Sequence, residues 1–155
     1  MKIVNGIRGL YKSVCVGPAW HGPSLDENLK DVTAEQAASH PIAGAHSIWE
    51  LVRHISAWEQ KVARVLTTGE ECNTMLGDDD WPPVTDTSAE AWQAALIELA
   101  EGRKALAAAM KAFPEEKLSE MVPTREFSWF VLLEGMTHHS LYHSGQIALL
   151  KKAAC

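Results

Sequence analysis

His139 and His143 stand four residues apart in the run His-Ser-Leu-Tyr-His. On a helix that spacing puts two imidazoles on one face, about 6 Å apart along the axis. Two rings so placed can share one metal ion. The same face carries Leu132, Met136, Ile147 and Leu150, so the pair is expected to point inward. Each buried ring then needs a partner for its donor and its acceptor, which a metal, a carbonyl or a water would supply.

A third donor strengthens the metal reading. His54 falls on the apolar stripe of another helical stretch, between Leu51 and Trp58. Antiparallel packing of the two stretches would bring all three histidines to similar depth. His46 is the rival, but it lies eight residues earlier, about 12 Å along the axis, so one ion cannot use both. His138 is rotated about 100° from His139 and should face elsewhere. His21 and His40 fall in loops.

Three neutral imidazoles leave the full charge of a divalent ion, with positions open to water or substrate. That is the ligand count of a catalytic site. Such an ion lowers the pKa of bound water and equally holds a thiol as thiolate. Ser140 stands where H-E-x-x-H metalloproteases carry their glutamate, so peptidase chemistry of that type is disfavoured. No G-x-S-x-G, phosphate loop or dinucleotide fingerprint occurs. Glu50, four before His54, and Gln146, three after His143, are each within reach as hydrogen-bond supports of their histidines. Trp20, Trp58 and Trp81 are candidates to line a pocket.

Helices must position these residues. Ser24–Glu27, Thr33–Gln36, Ser47–Glu50 and Thr87–Glu90 match the capping box. Only Ser47 and Thr87 precede long periodic stretches, and these two carry the weight. Behind Ser47, Leu51, His54, Ile55, Trp58, Val62 and Val65 recur at helical spacing; behind Thr87, Trp92, Leu96, Leu99, Leu106 and Met110 do so until Pro114. A last helix starts between Thr124 and Ser128 and runs to about Ala153, and Ile3, Ile7, Leu10 and Val14 suggest an opening one. No strand-like alternation is visible. Four main helices, two of them roughly 25 residues and near 38 Å long, predict an all-α four-helix bundle. Thr67 to Asp86 forms a loop of roughly 20 residues, long enough to cross the bundle between helices two and three. Residues 17–44 should hold one or two short helical turns. Asp78 to Asp80 read as a solvated loop, since their spacing is not that of a calcium loop.

The chain has 155 residues, 46% hydrophobic and 22% charged, which suits a single folded domain and excludes disorder. Lys and Arg number 14 against 20 Asp and Glu, a net charge of −6, so nucleic acid and anionic membranes are poor partners. The amino-terminal stretch is interrupted by Asn5, Arg8 and Lys12 and does not read as a signal peptide. No apolar run is long enough to span a bilayer. Cys15, Cys72 and Cys155 are widely spaced and form no C-x-x-C, so no disulfide framework is expected and the cytoplasm is the natural compartment.

Several segments together resemble one family. Ser47-Ile-Trp-Glu-Leu-Val-Arg-His54-Ile, the loop Asp80-Trp81-Pro82-Pro83, Ala19-Trp20-His21-Gly22-Pro23 and, above all, His139-Ser-Leu-Tyr-His143-Ser-Gly-Gln-Ile147 resemble the DinB-like (YfiT-like) metal-dependent proteins. The likeness spans nearly the whole chain and implies one DinB-like domain over residues 1–155. It implies a four-helix bundle of up-down-down-up order and a divalent zinc or nickel ion on His54, His139 and His143. It further implies a homodimer, and an activity of the thiol-dependent transferase or isomerase kind using bacillithiol, mycothiol or glutathione. The expected function is therefore a metal-dependent thiol S-transferase acting on a small molecule. The rival readings are metal-assisted hydrolysis, a non-catalytic bundle binding a metal or small ligand in stress handling, and a plain helical scaffold.

Overall fold

A computed structural model of the chain describes residues 2–154. Cys155 lies outside the described residues. Among the described residues six α-helices follow one another: α1 (Ile3–Val16), α2 (Leu25–Leu29), α3 (Ala34–Ala38), α4 (Ile48–Thr68), α5 (Ala89–Ala112) and α6 (Trp129–Ala153). Short 3-10 turns lie at Gly77–Asp79 and Glu115–Lys117, and no strand occurs among the described residues. No helix among the described residues is long and apolar enough to cross a membrane.

Local chemistry sets the boundaries. The Ser47 hydroxyl accepts from the Glu50 amide while the Glu50 carboxylate accepts from the Ser47 amide, and this closed box starts α4. Gly69, at φ 71°, ends it in the left-handed region that glycine adopts without a Cβ clash. The same box also forms at Ser24 and at Thr33, starting α2 and α3. Neither match precedes a long periodic stretch, yet both boxes close. The Thr87 box does not form. Asp86 accepts from the Ser88 amide at 2.8 Å, and Ser88 instead caps α5 through the Ala91 amide. Pro114 follows the end of α5, as its missing amide hydrogen requires. Ser128 caps α6.

The long helices pack in a ring, α1 on α6, α6 on α4, α4 on α5 and α5 on α1. Trp49 meets Trp92 at 5.1 Å between ring centroids, and farther along the Gln60 amide donates to Glu98 at 3.0 Å. Across the other face of α4, Leu51 shares a cavity wall with Gln146 and Leu150, and Trp58 shares one with Leu132 and Met136.

Two apolar clusters fill the interior. One joins α1 to the second halves of α4 and α5 and the first half of α6, through Val4, Ile7, Val62, Leu106, Met110 and Leu133. The other holds α2 and α3 against the first halves of α4 and α5 and the end of α6, through Leu25, Trp49, Ile55, Trp92, Leu99 and Ile147. Between these stretches, α4, α5 and α6 each change to buried polar side chains: His54, Ser56 and Glu59, then Arg103, then Thr137, Ser140, His143 and Ser144. Buried polar groups must find partners. The interior is thus divided by a polar belt, and the histidines belong to it.

Candidate metal centre

His54 comes from α4, and His139 and His143 come from adjacent turns of α6. Their ring centroids lie 4.9, 4.8 and 4.5 Å apart, and ring nitrogens from the three all fall within 4.8 Å of one another. His54 and His143 are buried and His139 is half-buried. The three imidazoles that the spacing pointed to are therefore one cluster, and they form a group that could hold a metal ion.

Hydrogen bonds decide which nitrogen of each ring is available. Nδ1 of His54 lies 2.7 Å from the backbone carbonyl of Asp80, an oxygen that can only accept. Nδ1 therefore carries the hydrogen, and Nε2 keeps its lone pair. Nδ1 of His143 donates to Gln146 Oε1 at 2.6 Å, which again frees Nε2. Nε2 of His139 sits 2.9 Å from Nε2 of His54, so His139 places its hydrogen between the two rings. A cation bound to both would occupy the direction that this hydrogen takes. Nδ1 of His139 is shut off from solvent with no partner, a buried polar atom left unsatisfied.

The electrostatics suit coordination. Burial lowers the pKa of His139 to about 3, helped by the neighbouring His143 and His54. Burial also lowers His54, against the opposing pull of the Asp80 carbonyl and carboxylate, and lowers His143, against the opposing pull of Gln146. All three rings are neutral at physiological pH, which is the form that binds metal. On donor chemistry, neutrality and the tautomers fixed at His54 and His143, the residues fit a divalent ion.

The loop between α4 and α5 folds over this cluster. Trp81 stacks on His54 with centroids 3.9 Å apart and planes 8° from parallel, and its other face stacks on His46 at 3.7 Å and 9°. Asp80 Oδ1 accepts from Trp58 Nε1 at 2.7 Å and stands 3.2 Å from His54 Nδ1. Beside His139 opens an apolar cavity of about 280 Å³, walled by Trp58, Phe127, Val131, Leu132 and Met136 around Gly135.

The other candidate residues are spread elsewhere. Gln146 bonds His143, but Glu50 does not support His54: its carboxylate closes the Ser47 box and faces His40 at 3.1 Å and His46 at 3.5 Å. The capping geometry turns that side chain toward the start of the helix. Trp58 and Trp81 both line the site, whereas Trp20 is fully exposed. His138 is exposed, 3.8 Å from Glu134. Ser140 is wholly buried beside His139, so no carboxylate occupies the position a metalloprotease base would take. Cys15 is no nucleophile, since burial pushes its thiol up to about 12. Spacing could not reveal Asp80 as the partner of His54, though the stiff Trp81-Pro82-Pro83 that follows it was a signal that this loop holds one shape.

No curated protein and no solved structure shows a significant match to the chain. A family model does: that of the DinB superfamily, over residues 20–147, a span that takes in α2 to α5, the Asp80–Trp81 loop and all three histidines. The chain belongs to the DinB superfamily.

Proposed function

We propose that this protein is a metal-dependent enzyme that holds one divalent zinc or nickel ion on His54, His139 and His143 and transfers a low-molecular-weight thiol to an electrophile with an apolar body. The observation that carries the reading is the convergence of three neutral imidazoles, two of them with Nδ1 already engaged, beside an apolar cavity. The ion would supply positive charge that holds a thiol in its thiolate form at neutral pH. With no carboxylate among the three donors, the protein leaves that charge unspent for the incoming anion.

The chain's own residues set the rest. Trp81 covers one face of His54, and Trp58 and Phe127 wall the cavity in which the electrophile's apolar body would lie against His139. For a haloarene, a carbon–sulfur bond forms, the carbon–halogen bond breaks with halide leaving, and the thiol proton passes to solvent. The pairings along the helices favour an up-down-down-up bundle. Positions of α4 and α6 meet in opposite order, and those of α4 and α5 meet in the same order across the long loop.

The test uses untagged protein loaded with zinc or nickel, a haloarene, and glutathione, bacillithiol or mycothiol in turn. Loss of haloarene that needs both protein and thiol is expected. Full metal loading with no thiol-dependent loss would overturn the transferase reading. Ester hydrolysis independent of thiol, with an apparent pKa near 7, would replace it with the hydrolase.

A further inference from the structure

Away from the histidines, a groove of about 520 Å³ runs between α1 and α5. Its charged lining is Arg8, Lys12, Arg103 and Lys104 against Asp26 alone. That is an excess of cations on a chain whose net charge is −6. Arg103 gives one Nη to Asp26 at 2.6 Å. Arg8, Lys12 and Lys104 make no ion pair or side-chain hydrogen bond among the described residues. Four like charges against the one carboxylate of Asp26 in the lining repel one another, and an anion would relieve this.

Two details point to a particular ligand chemistry. The Nε atoms of Arg8 and Arg103 are both shut off from solvent with no acceptor, and Arg103 is only 8% exposed. Guanidinium groups short of acceptors match the planar oxygens of a carboxylate or phosphate. The floor is apolar and low. Gly9 sits inside α1 at an ordinary helical position, where a Cβ would meet nothing within 4 Å. Glycine there costs about 1 kcal/mol against alanine, with no packing or dihedral need to offset it. It leaves the groove open along Ala100 and Ala107.

We infer that the α1–α5 groove is a binding site for a small amphiphilic organic anion, its carboxylate or phosphate head held by Arg8 and Arg103 and its apolar tail lying along Gly9, Ala100 and Ala107. Lys12 and Lys104 add charge at the rim. The site uses none of the residues of the histidine cluster.

Titration calorimetry with octanoate, octyl phosphate, octanol and inorganic phosphate tests this. One equivalent of octanoate or octyl phosphate is expected to bind, at least tenfold more tightly than octanol or inorganic phosphate. Arg8→Gln should lower that affinity at least tenfold and remove the preference over octanol, and Gly9→Leu should lower it for both octyl anions. EDTA should change nothing. Equal binding of octanoate and octanol, or anion binding untouched by Arg8→Gln, would overturn the proposal. So would binding abolished by EDTA, which would place the anion at the histidines. Both variants alter half-buried or exposed helix positions, and circular dichroism verifies that each is folded.

Discussion

The backbone carbonyl of Asp80 accepts a hydrogen bond from Nδ1 of His54 at 2.7 Å, across 26 positions of sequence. A loop residue thereby chooses the tautomer of a helix histidine, and the next residue, Trp81, clamps the ring by stacking on it.

Trp81→Ala removes that clamp while leaving every candidate donor in place. It is expected to weaken zinc binding roughly 10- to 100-fold, the range seen when partners that orient a metal ligand are lost. Competition against a chromophoric chelator measures it, with Trp81→Phe retaining most of the affinity. Unchanged affinity in Trp81→Ala would remove the loop from the site.

Gln146 acts on the third ring in the same way, 2.6 Å from Nδ1 of His143. Gln146→Ala should lower zinc affinity about tenfold, and Gln146→Glu, which keeps an acceptor, should restore or exceed it. If both variants fall equally, the hydrogen bond is not what matters.

The helices and the three histidines were legible in the sequence because both follow the helical period. Leu51, His54, Ile55 and Trp58 mark one inward stripe, and Met136, His139, His143 and Ile147 mark another. What covers them was not legible, since the Asp80–Trp81 loop has no period and its packing on His54 is a long-range event. Nothing in the sequence sets Glu59 and Arg103 apart from the other charged helix residues, yet both are buried in the polar belt. Glu50 shows the converse limit. Its helical distance from His54 suggested one partner, while the capping box at Ser47, equally visible, took the carboxylate.

The apolar cavity depends on Gly135, whose added Cβ would meet nothing within 4 Å. Gly135→Leu should fill that space. For a haloarene substrate KM should rise about tenfold or more while zinc stoichiometry and affinity stay as in the wild type. An unchanged KM would move the electrophile elsewhere.

Glu59 makes folding pH-dependent. It is wholly buried, accepts from the Tyr11 hydroxyl at 2.5 Å, and burial pushes its carboxyl up to about 7 against the opposing pull of Arg103 and Tyr11. The folded state therefore keeps a proton that the unfolded chain gives up above its ordinary value of 4.5. The stabilisation is complete below that value and is lost as pH rises through about 7. Over this window the wild type should lose about 3 kcal/mol relative to Glu59→Gln, whose amide oxygen still accepts from Tyr11. Urea denaturation of both proteins in EDTA across pH 4 to 8 measures the difference. Parallel curves would contradict the assignment.

The most direct measurement is elemental analysis of untagged protein after loading with zinc or nickel and gel filtration, beside His54→Ala, His139→Ala and His143→Ala. One equivalent per chain is expected in the wild type, with retention falling at least tenfold in every variant that stays helical. A wild type that retains no metal, or three variants that all retain a full equivalent, would contradict a metal centre built from these histidines.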